Sequence, residues 1–207
     1  MLVKNKLEEI EKLGFIYEKD NILNNLNYKN IQILFYKGDY LKMKESLDVL
    51  IDANQLQNKY LNDLLEIKNI ALFFNEDQKS FKKYSSIQHK IKMNKDFEAA
   101  LELIQLINSE NILISELAQF QYALIQIKKG NIQEAQTIIS SMPHKTIFSE
   151  IALIINAEIE DYLNNNYQIS IKLYEELINK YPNSIYKENI IKRLNIINNL
   201  IKERIDS

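Results

Sequence analysis

Lys129-Gly130-Asn131-Ile132-Gln133-Glu134-Ala135 reads as the end of one helix and the start of another. Gly closes a helix in the left-handed conformation that other residues resist, and Asn offers an oxygen to the free N–H groups of the helix that follows. Ile132 and Ala135, three residues apart, share a helical face, as packing against a neighbour requires. The same order of turn residue, polar residue, large apolar residue, two variable residues and small residue recurs at Lys95-Asp96-Phe97-Glu98-Ala99-Ala100 and Asn165-Asn166-Tyr167-Gln168-Ile169-Ser170, 35 residues before and after. A period of about 34 residues is that of a helical pair that cannot bury its own apolar faces and so stacks on its neighbours. An earlier copy, Gly38-Asp39-Tyr40-Leu41-Lys42-Met43, precedes Lys95 by 57 residues, an interval that holds an additional helix.

Outward from these turns, apolar residues recur every three or four positions, as in Ile31, Leu34, Phe35 and in Leu173, Tyr174, Leu177, Ile178, and no sustained strand alternation interrupts them. The spacing predicts eleven helices, at 2–13, 20–37, 39–52, 57–74, 77–93, 96–108, 112–129, 131–141, 147–163, 167–180 and 184–204. Tyr181-Pro182-Asn183-Ser184 marks the last break, with Pro withholding a backbone donor and Asn or Ser capping the next helix. The expected fold is all-α, built of stacked helix pairs and irregular in its N-terminal half.

Composition agrees. Among 207 residues there are 3 Gly and 2 Pro, too few for a turn-rich sheet protein or a glycine-cradled phosphate site. With no Cys, thiolate chemistry, disulfides and zinc-thiolate sites are excluded, and His89 and His144 are the only imidazoles. The formal net charge of −2 and a 46% hydrophobic fraction are ordinary for a folded chain. Met1-Leu2-Val3-Lys4-Asn5-Lys6 leads directly into charged residues instead of an apolar export segment, and the longest uncharged apolar run, Leu117 to Ile127, is too short to span a bilayer. The chain as given is therefore expected in the cytoplasm, or in the periplasm as part of a longer chain carrying a signal peptide.

At its turns the chain resembles the tetratricopeptide-repeat family, whose turn and second helix read Gly-Asp-Tyr-x-x-Ala-x-x-x-Tyr with a Pro near the repeat end. Gly38-Asp39-Tyr40, Phe97 with Ala100, Gly130 with Ala135, and Tyr167, Ser170, Tyr174 and Pro182 carry the resemblance. Ala123 and Ala157 sit near the family's small first-helix position, the latter with one residue inserted before Asn165. The stretch from Tyr174 to Tyr186 is similar to bacterial arrays of the kind found in envelope-assembly proteins. Met43 replaces a small residue, Ile107 and Leu177 replace another Ala, and the first repeats lack Trp-Leu-Gly. The resemblance implies an all-α, right-handed α-solenoid of antiparallel helix pairs, irregular in its N-terminal half, as one helical-repeat domain over 1–207, with degenerate repeats in 1–75, tetratricopeptide-like repeats at 77–110, 112–145 and 147–182, and a capping helix at 184–207. It also implies a non-enzymatic scaffold that binds another protein or peptide without a cofactor.

Lys79, Lys82, Lys83 and Lys90 fall within about 100° of one another on the helix at 77–93, opposite Phe81, Tyr84, Ile87 and Ile91. This basic stripe fits an acidic peptide, a C-terminal carboxylate or an anionic surface; a solvated amphipathic face is the alternative. Two Arg (Arg193, Arg204) and a slightly acidic balance speak against nucleic acid. His89 and His144 stand apart, and adjacent acids such as Glu158, Glu160 and Asp161 are expected to be solvated charges. Tyr28, Tyr36, Tyr122 and Tyr162 either stack on a bound peptide or fill gaps between helices. Two further readings are a C-terminal segment of a longer array and an enzyme with a groove carboxylate site. No metal, nucleic-acid or membrane-inserting role is expected.

Overall fold

The computed structural model describes residues 23–52, 60–142 and 146–205. Among them every regular element is helical: α1 (23–37), α2 (Tyr40–Asp52), α3 (Leu61–Phe73), α4 (Gln78–Lys92), α5 (Asp96–Ile107), α6 (Ile112–Lys128), α7 (Ile132–Ser141), α8 (Phe148–Glu158), α9 (Tyr167–Lys180) and α10 (Lys187–Ile205). A π-helical turn at Ile159–Leu163 extends α8. With the π-turn counted as the end of α8, each described helix end falls within four residues of the boundary predicted from periodicity and turn chemistry. The predicted helix at 2–13 and His144 lie outside the described residues. The chain divides into two compact units after Ala99, within α5.

Four described residues other than those in helices have positive φ: Gly38 (69°), Asn94 (57°), Gly130 (81°) and Asn165 (53°). Each closes one helix, and the next begins two residues later, at Tyr40, Asp96, Ile132 and Tyr167. At the first three turns the N–H of the positive-φ residue donates three residues back, to Phe35, Ile91 and Ile127, and the following N–H donates five back, to Leu34, Lys90 and Gln126. These bonds occupy carbonyls that a helix end otherwise leaves open. At the fourth turn Asn166 N–H reaches six residues back, to Glu160, because the π-turn takes up one extra residue.

Burial repeats with the turns. Five residues after each positive-φ position stand Met43, Ala99, Ala135 and Ser170, all completely buried. Seven residues before the first three stand Ile31, Ile87 and Ala123, and eight before the fourth stands Ala157, none more than 1% exposed. This register corrects the alignment of Phe97 with Tyr40 by one residue. Asn94, not Lys95, matches Gly38, so Phe97 corresponds to Leu41, and the two are 67% and 59% exposed. Ala99 and Ala100 are neighbours and both buried, so composition alone accepts either register.

In the first unit an aromatic cluster joins α1, α2 and α4. Phe81 of α4 meets Phe35, Tyr40 and Phe74 edge-on at ring-centre separations of 5.8, 5.1 and 5.8 Å. Such geometry adds about 0.5–1.5 kcal/mol per pair beyond burial. Asp77 begins α4 by accepting the Ser80 N–H at 2.9 Å, and hydrogen bonds from Ser80 hold its carboxyl below the usual range. Helix α3 fills the long interval before Asn94 and is tied to α2 by Lys68 Nζ on Asp48 at 2.8 Å.

In the second unit two apolar clusters run in series. Ala123, Ala135, Ile139 and Ala152 bring α6, α7 and α8 together, and their small side chains allow close approach. Leu153, Ala157, Tyr174, Leu177, Ile190 and Ile197 join α8, α9 and α10. Each fully buried Leu or Ile contributes about 1.5–3 kcal/mol. The opposite side of α10 exposes the polar Glu188, Lys192, Asn195, Asn199 and Lys202 together with Ile191.

Candidate functional site

Helix α4 has the amphipathic division read from its sequence. Phe81, Tyr84 and Ile87 are buried and Ile91 is half-buried, whereas Lys79 and Lys82 are exposed and Lys83 and Lys90 half-buried. The four lysines do not share one environment. Lys79 contributes to the low pKa of Asp77, Lys90 Nζ lies 3.3 Å from Ser86 Oγ, and the stem of Lys82 packs on the α1–α2 turn. A Cβ placed on Gly38 would stand 2.8 Å from Lys82 Cγ and 2.9 Å from its Cα. Gly38 is thus required both by its positive φ and by the approach of α4.

The second unit holds a groove of about 710 Å³ between α7 and α9, floored by the end of α8. Gln133, Gln136, Thr137 and Ser140 line it from α7, and Asn156 and Glu160 from the α8 side. Residues 133, 136, 137 and 140 share one face of α7 because three- and four-residue steps stack on a helix. That face is opposite the buried Ala135 and Ile139. Gln136 is the centre of the groove: its Nε2 donates to Glu160 Oε1 at 2.7 Å and Asn156 Oδ1 at 3.4 Å, and its Oε1 accepts from Asn164 Nδ2 at 3.4 Å. Ile169 and Leu173 of α9 supply an apolar wall. The site therefore offers uncharged donors and acceptors, one carboxylate held by an amide, and an apolar side.

Beside it the expectation that Glu158, Glu160 and Asp161 are simply solvated charges fails at Asp161, which is 1% exposed. Arg193 of α10 donates from Nε to Oδ2 and from Nη2 to Oδ1, both at 2.7 Å, and Tyr174 Oη donates to Oδ2 at 3.1 Å. Burial first, then the Asp161 charge and hydrogen bond, pushes the Tyr174 hydroxyl far up. Partial burial and the Asp161 charge also raise the Glu158 carboxyl. The guanidinium lies over the Tyr162 ring at 4.4 Å. Asp161 follows Ala157 by four residues, a spacing that already places it near the buried face. Its partner, 32 residues away, has no comparable signal.

A second acidic side chain is embedded in the second unit. Glu116 of α6 is fully buried and accepts from Thr146 Oγ1, while the Thr146 hydroxyl also accepts the Phe148 N–H at 3.2 Å at the start of α8. The tyrosines differ in their surroundings. Tyr122 Oη donates to Glu134 Oε1 at 2.6 Å, bracing α6 against α7, whereas Tyr162 is 56% exposed. His89 is exposed with its ring 5.6 Å from that of Tyr36. Among the described residues no group of three His, Asp or Glu stands as metal ligands would, and no helix is long and apolar enough to cross a membrane.

Compared with known proteins, the chain matches no family model, no curated protein and no solved structure.

Proposed function

We propose that this chain is a non-enzymatic protein–protein interaction scaffold, a right-handed solenoid of tetratricopeptide-like repeats whose second-unit groove receives an extended segment of another protein. The observation that carries this reading is the arrangement around Gln136, where side-chain amides of α7 and α8 meet beside the apolar Ile169 and Leu173. Amide groups both donate and accept, which suits the backbone of an extended peptide, and the apolar wall suits its side chains. The four equivalent turns support the repeat assignment, and the mainly polar outer side of α10 supports its role as a capping helix. The lysines at 79, 82, 83 and 90 favour a partner with acidic character through steering and orientation.

The test is quantitative capture from lysate of the source cells at low and moderate salt, using the wild type, Thr137→Arg and the fourfold charge reversal Lys79→Glu, Lys82→Glu, Lys83→Glu, Lys90→Glu. The reading expects one saturable protein partner, lost with Thr137→Arg because Arg fills the groove. The fourfold variant is expected to bind the partner more weakly and with a smaller salt dependence. Equal capture by all three chains would overturn the assignment of both surfaces.

A further inference from the structure

The first unit contains a different concavity, of about 300 Å³, between α1, α3 and α4. Tyr28, Gln32 and Tyr36 face it from α1, Asp63 and Glu66 from α3, and Gln88 from α4. Its aromatic side is held in place. Tyr28 Oη donates to Asp63 Oδ2 at 3.0 Å and accepts from Gln32 Nε2 at 2.7 Å. The Tyr28 ring stacks on Tyr60 with centres 4.2 Å apart and planes 6° from parallel. Tyr28 is thereby fixed at both its hydroxyl and one ring face. Phe35 and Ile70 complete an apolar base.

Two carboxylates of exposed residues therefore border an aromatic-lined hollow, and among the described residues neither Asp63 nor Glu66 belongs to an ion pair. Elsewhere in this unit the acids Asp39 and Asp48 each have a lysine, at 3.2 and 2.8 Å. Unpaired negative charge next to π-faces repels anions and attracts cations. With two carboxylates and, among the described residues, no third acid or imidazole grouped with them, the donor set is poor for a bound metal ion. It suits an organic cation, whose charged head meets the carboxylates while its alkyl stem lies on the rings.

We infer that the hollow bounded by Tyr28, Tyr36, Asp63 and Glu66 is a binding site for an alkylammonium group. The ammonium donates to the free oxygens of Asp63 and Glu66, and the methylene chain lies along the tyrosines. This site is independent of the groove proposed for partner binding in the other unit. The ammonium comes either from a free polyamine or from a lysine side chain of another protein.

The experiment is titration of the full chain with spermidine, with the capped peptide acetyl-Gly-Lys-Gly-amide, and with uncharged 1,4-butanediol, followed by calorimetry and by the tyrosine ring resonances. One saturable site for at least one amine is expected, with shifts at Tyr28 and Tyr36 and no response to the diol. Asp63→Asn and Glu66→Gln, nearly isosteric and checked for unchanged circular dichroism, are each expected to weaken binding about tenfold. The surface control Glu175→Gln on α9 leaves it unchanged. Tighter binding of the lysine peptide assigns the site to a protein side chain, and tighter binding of spermidine assigns it to a free polyamine. The inference is overturned by no saturable binding of either amine up to about 10 mM, a concentration beyond which affinity is weaker than about 3 kcal/mol. It is equally overturned by unchanged affinity in both carboxylate variants or by equal binding of the diol.

Discussion

Arg193 of α10 grips Asp161 of the π-turn through two parallel hydrogen bonds of 2.7 Å, and Asp161 has almost no contact with solvent. The last helix is therefore fastened to the preceding helix pair by a charge pair as well as by Ile190 and Ile197. Removing one partner of a buried pair strands the other charge, whereas removing both removes the desolvation cost with the attraction.

Arg193→Leu is accordingly expected to destabilise the second unit by about 3 kcal/mol, at the low end for buried pairs because the Arg side chain keeps 22% of its surface exposed. Asp161→Leu combined with Arg193→Leu is expected to recover more than half of that loss. Urea denaturation measures both, and amide exchange along α10 reports whether the loss is local. Equal destabilisation by the single and double variants would contradict the pairing argument.

The two glycine turns are expected to respond differently to the same change. Asn occupies the equivalent positive-φ position at Asn94 and Asn165, and a Cβ on Gly130 meets nothing within 4 Å. Gly130→Asn therefore costs less than about 1 kcal/mol. Gly38→Asn costs about 2 kcal/mol or more, because its Cβ collides with the Lys82 backbone. Thermal denaturation of the two variants checks the difference, and similar losses would exclude the close approach of α4.

A one-residue register is tested by Tyr40 and Phe97. Tyr40 is 5% exposed and its hydroxyl donates to Asn75 Oδ1 at 3.0 Å, so Tyr40→Ala costs about 3 kcal/mol. Phe97→Ala costs less than about 1 kcal/mol, since the ring is 67% exposed. Comparable losses in denaturant midpoint would restore the alignment in which these residues are equivalent.

Alkaline pH acts on the tyrosines. Burial, with the Asp63 hydrogen bond second, pushes Tyr28 up to about 12, and burial pushes Tyr84 and Tyr174 higher still. The folded chain thus favours the neutral hydroxyls. Their contribution is fully present below the unfolded value of about 10 and is lost as pH climbs toward the folded values. Denaturant midpoints fall as pH rises from about 10 toward 12, and an ultraviolet titration of the folded chain leaves at least three of the 12 tyrosines protonated at about pH 11. Full titration of a still-folded chain with one midpoint near pH 10 would contradict this.

The contrast between Ala135 and Asp161 explains what could be read beforehand. Ala135 lies five residues after a glycine turn, and local turn chemistry with 3.6-residue spacing was enough to place it inside. Helix ends were legible for the same reason at Gly38, Gly130 and Asn165, which act within their own turns, whereas at the second turn the positive-φ residue is Asn94 and not the Lys95 that the repeat alignment selects. Asp161 was legible only by its spacing from Ala157, and its charge argued against burial until Arg193 supplied a partner from another helix. The groove around Gln136 depends on three segments meeting, and no local pattern encodes that meeting. Lys82 shows the reverse case: its spacing on the stripe was correct, but its packing on Gly38 was invisible from α4 alone.

The most direct test of a partner-binding groove places a photo-crosslinking amino acid at Ser140, on the groove side of α7, and at Asn195, on the outer side of α10. Irradiation in the source cells is predicted to yield one discrete protein adduct from Ser140 that is absent from Asn195 and disappears when Thr137→Arg is added. No adduct from Ser140, or the same adducts from both positions, would contradict the account.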